Sequence, residues 1–274
     1  MPDGGWLDAV VRLRAAREPA VLVTLATVRG HAPRRAGAKM VVSASGAWGS
    51  IGGGNVEALA IERARALLAD PDAAPELMNC ELSERAPSEH GAQCCGGVVS
   101  VLLEPLRPVP AVAIFGVGHV GLELARILAR HDLELHLIDT RPEMMSEERL
   151  AVLTDAVAAI HVHHISLLPE SIVSELPAGT HVLIMTHDHA EDVALCDAAL
   201  RRADLGSVGL IGSAGKWANF RRRLAADGGL DEETIARVKT PIGLADISGK
   251  EPATIAVSVA ADLLRTFERD GARP

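Results

Sequence analysis

The apolar positions of the chain recur at two periods, 2 and 3.6, and the way these alternate changes near residue 105. Before that point the pattern reads helix, strands, helix, strands. Residues 6–17 have the spacing of a short amphipathic helix, and Val21–Thr27 reads as a strand. Lys39–Ser43 and Ala47–Ile51 read as a hairpin around Ser45-Gly46. From Asn55 to Ala69, apolar residues at Val56, Leu59, Ala60, Ala64, Leu67 and Leu68 keep helical spacing until Asp70-Pro71 stops it. A last strand, Val98–Leu103, leads into Pro105-Leu106-Arg107-Pro108-Val109-Pro110. Three prolines in six residues join neither a helix nor a central strand. Residues 105–110 are therefore read as a linker between a smaller mixed α/β domain, 1–104, and a larger one, 111–274.

Past the linker, strands and helices alternate. Strands are predicted near 111–115, 134–138, 157–161, 181–186 and 207–211, with helices near 119–130, 143–152, 168–176 and 190–203. This order predicts a parallel sheet covered on both faces, an α/β class with a Rossmann-like C-terminal sheet. A final helix, about 252–268, is expected to return toward the first domain.

Composition narrows the partners. The chain has 274 residues, 48% of them apolar, with three Trp, three Phe and no Tyr, so Ala, Val and Leu must fill the core. A net charge of −9 argues against a nucleic-acid partner. No apolar run approaches the length of a membrane span, and the first residues lack the layout of a signal peptide. Four Cys make no disulfide framework. The expected compartment is the cytoplasm.

Candidate chemistry starts at Gly116-Val117-Gly118-His119-Val120-Gly121, which follows a short apolar strand and opens a helix. Gly116 permits a tight turn, Gly118 lets a diphosphate approach the backbone, and Gly121 lets helix and strand pack closely. Asp139 lies 23 residues beyond Gly116, at the end of the next strand, where it suits ribose hydroxyls. Arg141 suits a 2′-phosphate instead, so NAD and NADP both remain open, as does a Rossmann domain that binds no nucleotide.

Three further features lie in the first domain. Arg34, Arg35 and Lys39 belong to a basic loop, 29–39, in an acidic protein, and are placed to converge on an anion. Gly52, Gly53 and Gly54 run straight into a helix and suit an anion nest. Glu57, in its first turn, either complements the helix dipole or accepts from a guanidine-like edge such as a pterin's. Cys94 and Cys95 sit among glycines in a loop and read as reactive or soft-ligand thiols, whereas Cys80 and Cys196 read as packing thiols.

In the second domain, His187-Asp188-His189-Ala190-Glu191-Asp192 follows an apolar strand, at the sheet edge that lines the ligand crevice of open α/β folds. The run is like a His-x-His-x-Asp-His metal motif, but lacks the last His and has Glu191 where Asp belongs. An organic-ligand role for His187 is the stronger reading, beside a helix cap at Asp188 or His189. His161, His163 and His164 also cluster, near the end of a weak strand.

Several of these motifs occur together and in order in one family. The markers are Pro33-Arg34 with Gly37-Ala38-Lys39-Met40; Gly49-Ser50-Ile51-Gly52-Gly53-Gly54 with Glu57; and Cys95-Gly96-Gly97. Then come the glycine loop at Gly116, Asp139-x-Arg141-Pro142-Glu143, Met185-Thr186-His187 with Asp192, and Gly209-Leu210-Ile211-Gly212-Ser213. Pro241-Ile242-Gly243-Leu244 and Ile255-Ala256-Val257-Ser258 complete them. Over nearly its whole length the chain resembles the XdhC/CoxI family, accessory proteins of xanthine dehydrogenase and related molybdenum hydroxylases.

The resemblance implies a protein that binds molybdenum cofactor, assists its sulfuration with a cysteine desulfurase, and delivers it to an apo molybdenum hydroxylase. By that reading Arg34, Arg35, Lys39 and the Gly52–Gly54 turn suit the cofactor's phosphate, Glu57 its pterin edge, and Cys95 the sulfur or soft-metal chemistry. Two departures stand out. Asn55 replaces a residue that is often Cys or His in the family, and Cys94 doubles the usual single Cys. The alternative is an NAD(P)-dependent oxidoreductase, for which His187 is the catalytic candidate. A metal-binding or scaffold protein is a third reading. A homodimer is expected.

Overall fold

A computed structural model describes residues 5–70, 72–82, 97–165 and 167–269. The chain divides into two units, 1–108 and 109–274.

In the first unit, β1 (Ala20–Arg29), β2 (Lys39–Ser43), β3 (Ala47–Gly49), β4 (Glu76–Leu82) and β5 (Gly97–Leu106) form one antiparallel sheet, ordered β3-β2-β1-β5-β4. Period-2 alternation sorts its side chains between two helices. Val21, Val23, Met40 and Val42 face α2 (Gly54–Ala69), burying its Val56, Ala60, Ala64 and Leu67. Ala20 and Val41, one residue out of phase, face α1 (Trp6–Ala15) through Ala9 and Leu13. A bulge between Leu25 and Thr27 inserts one residue into β1, which returns Val28 to the α2 side. Pro105, expected in the linker, belongs to β5. Pairing with β4 ends at Leu103, so Pro105 stands on a stretch open on that side, where a missing N–H is tolerated.

The second unit has β6 (Ala111–Phe115), β7 (Glu134–Asp139), β8 (Ala159–His164), β9 (His181–Ile184), β10 (Ser207–Leu210) and β11 (Val238–Lys239). All neighbours are parallel, in the order β11-β10-β9-β6-β7-β8. This is the doubly wound Rossmann order, with its switch point between β6 and β9. The buried residues of β6 split by parity. Val112 and Ile114 join the core under α3 (His119–Leu128), while Ala113 and Phe115 join the core under α5 (His189–Leu200).

Two expected helices are shorter than the spacing suggested. Residues 143–152 become a 3-10 turn, the single-turn α4 (Glu147–Leu150) capped by Ser146, and another 3-10 turn. Residues 169–174 are 3-10 as well, entered from a left-handed Leu168. Further on lie α6 (Ala214–Ala226) and α7 (Glu232–Ala236). The last helix is α8 (Pro252–Arg269). Its apolar face, Ala256, Val259, Ala260, Leu263 and Phe267, completes the core of the second unit with Leu124 and Leu128 of α3. No helix among the described residues is long and apolar enough to cross a membrane.

Candidate functional site

In the first unit, the triple glycine exists for backbone reasons. Gly52, Gly53 and Gly54 have φ of 136°, 72° and 63°, a left-handed run that side chains disfavour. Glu57 fastens this turn. One carboxylate oxygen accepts from Ser50 Oγ at 2.6 Å, Gly53 N at 2.9 Å and Ile51 N at 3.0 Å. Burial acts to raise the Glu57 pKa, but these hydrogen bonds, with one from Gly52, outweigh it and hold the group below its usual value. Glu57 is therefore first the organiser of the loop, and only its second oxygen faces other work.

The basic loop lies against this turn. A methyl group on Gly52 would sit 3.3 Å from Pro33 Cβ and 3.6 Å from Arg34 Cγ, whereas one on Gly53 would meet open space. Between them is a shallow, open recess lined by Ala32, Pro33, Ile51, Gly52, Gly53 and Val56 among others. Arg34 and Arg35 are exposed, with no side-chain hydrogen bond or ion pair to any described residue. Lys39 does not join them. It shares the α1 side of β2 with Val41, donates to Thr24 Oγ1 at 2.7 Å and lies 5.7 Å from the Trp6 ring. Cys94 and Cys95 lie outside the described residues. Gly97, two positions after Cys95, backs onto the carbonyls of His31 and Arg29 so closely that no side chain fits.

In the second unit, the crevice forms at the β6/β9 switch point. Gly116, at φ 100°, has its α-carbon against the Met185 carbonyl, and Gly121 is packed on the Gly116 carbonyl, so both positions exclude a side chain. Gly118 differs. It has ordinary φ and leads α3 with open space in front. A methyl group there would meet only Arg141 Nη2, at 3.8 Å.

Asp139 does not present its carboxylate to the crevice. Oδ2 accepts from Val117 N at 2.8 Å and Arg141 Nη2 at 2.7 Å, and Oδ1 from Arg141 N at 3.0 Å and Nε at 2.9 Å. Its side chain is 2% exposed. Burial opposes ionisation, yet the Arg141 and Val117 hydrogen bonds keep the pKa lowered. A lowered folded pKa means that this group stabilises the fold above its unfolded value, about 4, and that the contribution fades as pH falls through the folded value. Asp139→Asn is accordingly expected to cost about 2 kcal/mol at pH 7. In urea denaturation, the gap to wild type should narrow at pH 3.

Glu191 behaves in the opposite way. Burial first, then Asp139 and Asp192, push its pKa up, while the Thr140 hydroxyl, 3.2 Å away, and His187 pull it down. Of the two carboxylates behind this loop, Asp139 is thus shifted toward its ionised form and Glu191 toward its acid form. His187 is exposed at the mouth. Asp188 is the cap of α5, accepting from Ala190 N at 2.6 Å and Glu191 N at 3.2 Å.

Sequence reasoning missed the tie that holds this loop. Asp192, fully buried, accepts from Thr186 Oγ1 at 2.8 Å and Thr186 N at 3.2 Å, and pairs with Lys216 Nζ at 2.6 Å. Lys216 also donates to Ile211 O at 3.1 Å. The signal was faint: Lys216 is one of only four lysines, three residues after the Ser213 cap.

Residues 112–263 match the family model of the XdhC Rossmann domain, and residues 13–77 that of the XdhC and CoxI family. The chain belongs to the XdhC and CoxI family. Among similar proteins is an uncharacterized protein, YqeB, of Escherichia coli K12, 28% identical over 90% of this chain and 43% of the relative. A probable xanthine dehydrogenase subunit of Bacillus subtilis 168 is 26% identical over 62% and 47%. The molybdenum cofactor insertion chaperone PaoD of Escherichia coli K12 is 26% identical over 89% and 82%. The chain spans less than half the length of the first two of these relatives. The glycine loop at Gly116 and the Asp192–Lys216 tie both fall inside the family's Rossmann match, and the basic loop and triple glycine inside the other.

Proposed function

We propose that this XdhC-family protein binds molybdenum cofactor, assists its sulfuration, and hands it to a xanthine dehydrogenase-type apo-hydroxylase in the cytoplasm, working as a homodimer with a cysteine desulfurase as sulfur source. The observation that carries this reading is Arg34, exposed, without a side-chain partner among the described residues and packed at Gly52 of the left-handed Gly52–Gly54 turn, followed in the same loop by the equally exposed Arg35. In an acidic chain, two exposed guanidinium groups on a loop that packs against an open backbone turn fit a phosphate-bearing ligand. The relative PaoD, a molybdenum cofactor insertion chaperone, supports molybdenum cofactor as that ligand.

Glu57 is assigned to hold the turn, with its second oxygen left for the pterin edge. Cys95 is assigned to the sulfur step. Its neighbour Gly97 abuts the backbone at His31, at the entrance of the basic loop. Against the oxidoreductase alternative stands Asp139, whose oxygens already accept four hydrogen bonds from Val117 and Arg141, so no acceptor is left for a ribose.

The test is co-expression of a xanthine dehydrogenase-type hydroxylase with and without this chain. Activity is expected to depend on the chain, and the purified chain is expected to retain molybdenum cofactor through gel filtration. Cys95→Ser should keep retention and lose hydroxylase activation, whereas Cys94→Ser should keep both. Full hydroxylase activity without the chain, together with no retained cofactor, would refute the proposal.

A further inference from the structure

A cluster outside both of these places concentrates metal-binding groups on the sheet of the second unit. Glu134, His136 and His161 bring a carboxylate oxygen and two ring nitrogens within 4.8 Å of one another. The fold creates this set. Strands β7 and β8 run parallel with His136 opposite His161, and Glu134, two residues before His136, shares its face. Leu135 and Leu137, on the other face, are packed into the core under α3. His136 is buried, Glu134 half-buried and His161 exposed, so the set is anchored on one side and open to solvent on the other.

His136 is oriented from two directions. Its Nδ1 lies 3.0 Å from His163 Nε2, and its Nε2 faces Glu134 Oε2 at 4.0 Å. Its ring stacks on that of His161, with centroids 4.6 Å apart. His163 Nε2 is placed to accept the Nδ1 proton of His136, and that tautomer leaves the His136 Nε2 lone pair directed at Glu134. Ligating histidines are commonly held by such a hydrogen bond from the other ring nitrogen.

We infer that Glu134, His136 and His161 form a binding site for a divalent first-row transition ion of the zinc type, with His163 fixing the ligating tautomer of His136. Two imidazoles and a carboxylate are a borderline donor set that suits such ions, and three protein ligands leave one position for water. Donors at about 2.1 Å from a tetrahedral ion stand about 3.4 Å apart. His161, exposed on the edge strand, turns out of its stack to close that gap. The bound ion would clip edge strand β8 to β7.

The experiment is titration of untagged full-length protein with Zn²⁺ and Co²⁺ against a chromophoric chelator. One tight equivalent is expected. His161→Ala, at an exposed position, should weaken it at least about 100-fold, and His163→Ala about 10- to 100-fold. His164→Ala, on the same strand but the opposite face, should leave it unchanged. The inference is overturned if His161→Ala binds like wild type. It is equally overturned if Cys94→Ser with Cys95→Ser removes the equivalent, or if bound Co²⁺ shows a thiolate charge-transfer band. None of these results bears on cofactor retention, so this site and the proposed function stand or fall separately.

Discussion

Asp192→Ala is expected to destabilise the Rossmann unit by about 3 kcal/mol. Breaking a buried ion pair from one side typically costs about 3–5 kcal/mol, because the other charge is left without its partner. Here Asp192 is fully buried and Lys216 is 14% exposed on its side chain, so Lys216 keeps some access to water and the lower end applies. The damage should also be local. Asp192 holds Thr186 by both its hydroxyl and its amide, and Thr186 Oγ1 in turn accepts from the Asp188 amide at 3.2 Å. Losing Asp192 therefore frees the segment that carries His187. Urea denaturation should show the lower midpoint, and hydrogen exchange should show faster amides at 186–189 than elsewhere in the unit. Asp192→Leu combined with Lys216→Met should recover most of the stability, since a buried pair replaced by apolar groups of similar volume is often neutral. It should not recover the slow exchange of the loop, because Leu offers nothing to Thr186. A double variant as unstable as Asp192→Ala would show that packing, and not the uncompensated lysine, dominates at this position.

What the sequence revealed, and what it hid, follows from how local each cause is. The glycine loop was legible because Gly116 and Gly121 answer to contacts set by the strand–turn–helix itself, and the alternation after Ala111 leaves few topologies. The partner of Asp192 was not legible. Lys216 is 24 residues away, and only the β9–β10 pairing brings it near. Strand β4, which also escaped notice, is a short period-2 run, Met78-Asn79-Cys80-Glu81-Leu82, whose start is blurred by Leu77, apolar but 57% exposed on the polar face. Helix α6 escaped because only Phe220 and Leu224, with Trp217 beside them, carry its buried stripe. The three histidines of β8 were visible but unremarkable. Their significance depends on His136, which the β7–β8 register places opposite His161. Cys196 is a packing thiol, as its apolar setting in the sequence suggests, and burial, pushing its pKa up to about 12, makes it inert.

The same limit shaped the basic loop, and it yields the sharpest functional prediction. Spacing alone grouped Lys39 with Arg34 and Arg35, but β2 alternation sends Lys39 to the α1 side, opposite Met40 and the α2 core. The anion site is thus proposed to rest on the two arginines. A hydrogen bond to a charged group contributes about 1.5–3 kcal/mol. Because both guanidiniums are exposed, water and salt screen them and the lower figure applies to each. Arg34→Ala with Arg35→Ala should therefore weaken cofactor retention by about 3 kcal/mol, a factor of roughly 100. Retention by the wild type should fall as salt rises, and the double variant should be nearly insensitive to salt. Arg34→Lys should give an intermediate loss, since it keeps the charge but not the planar fork. Lys39→Ala should leave retention unchanged while lowering the stability of the first unit, because its contacts are to Thr24 and the Trp6 ring. Equilibrium binding of molybdenum cofactor at two salt concentrations measures the retention of every variant. If Lys39→Ala loses retention as the arginine pair does, the anion is not held where Arg34 meets Gly52, and the phosphate assignment fails.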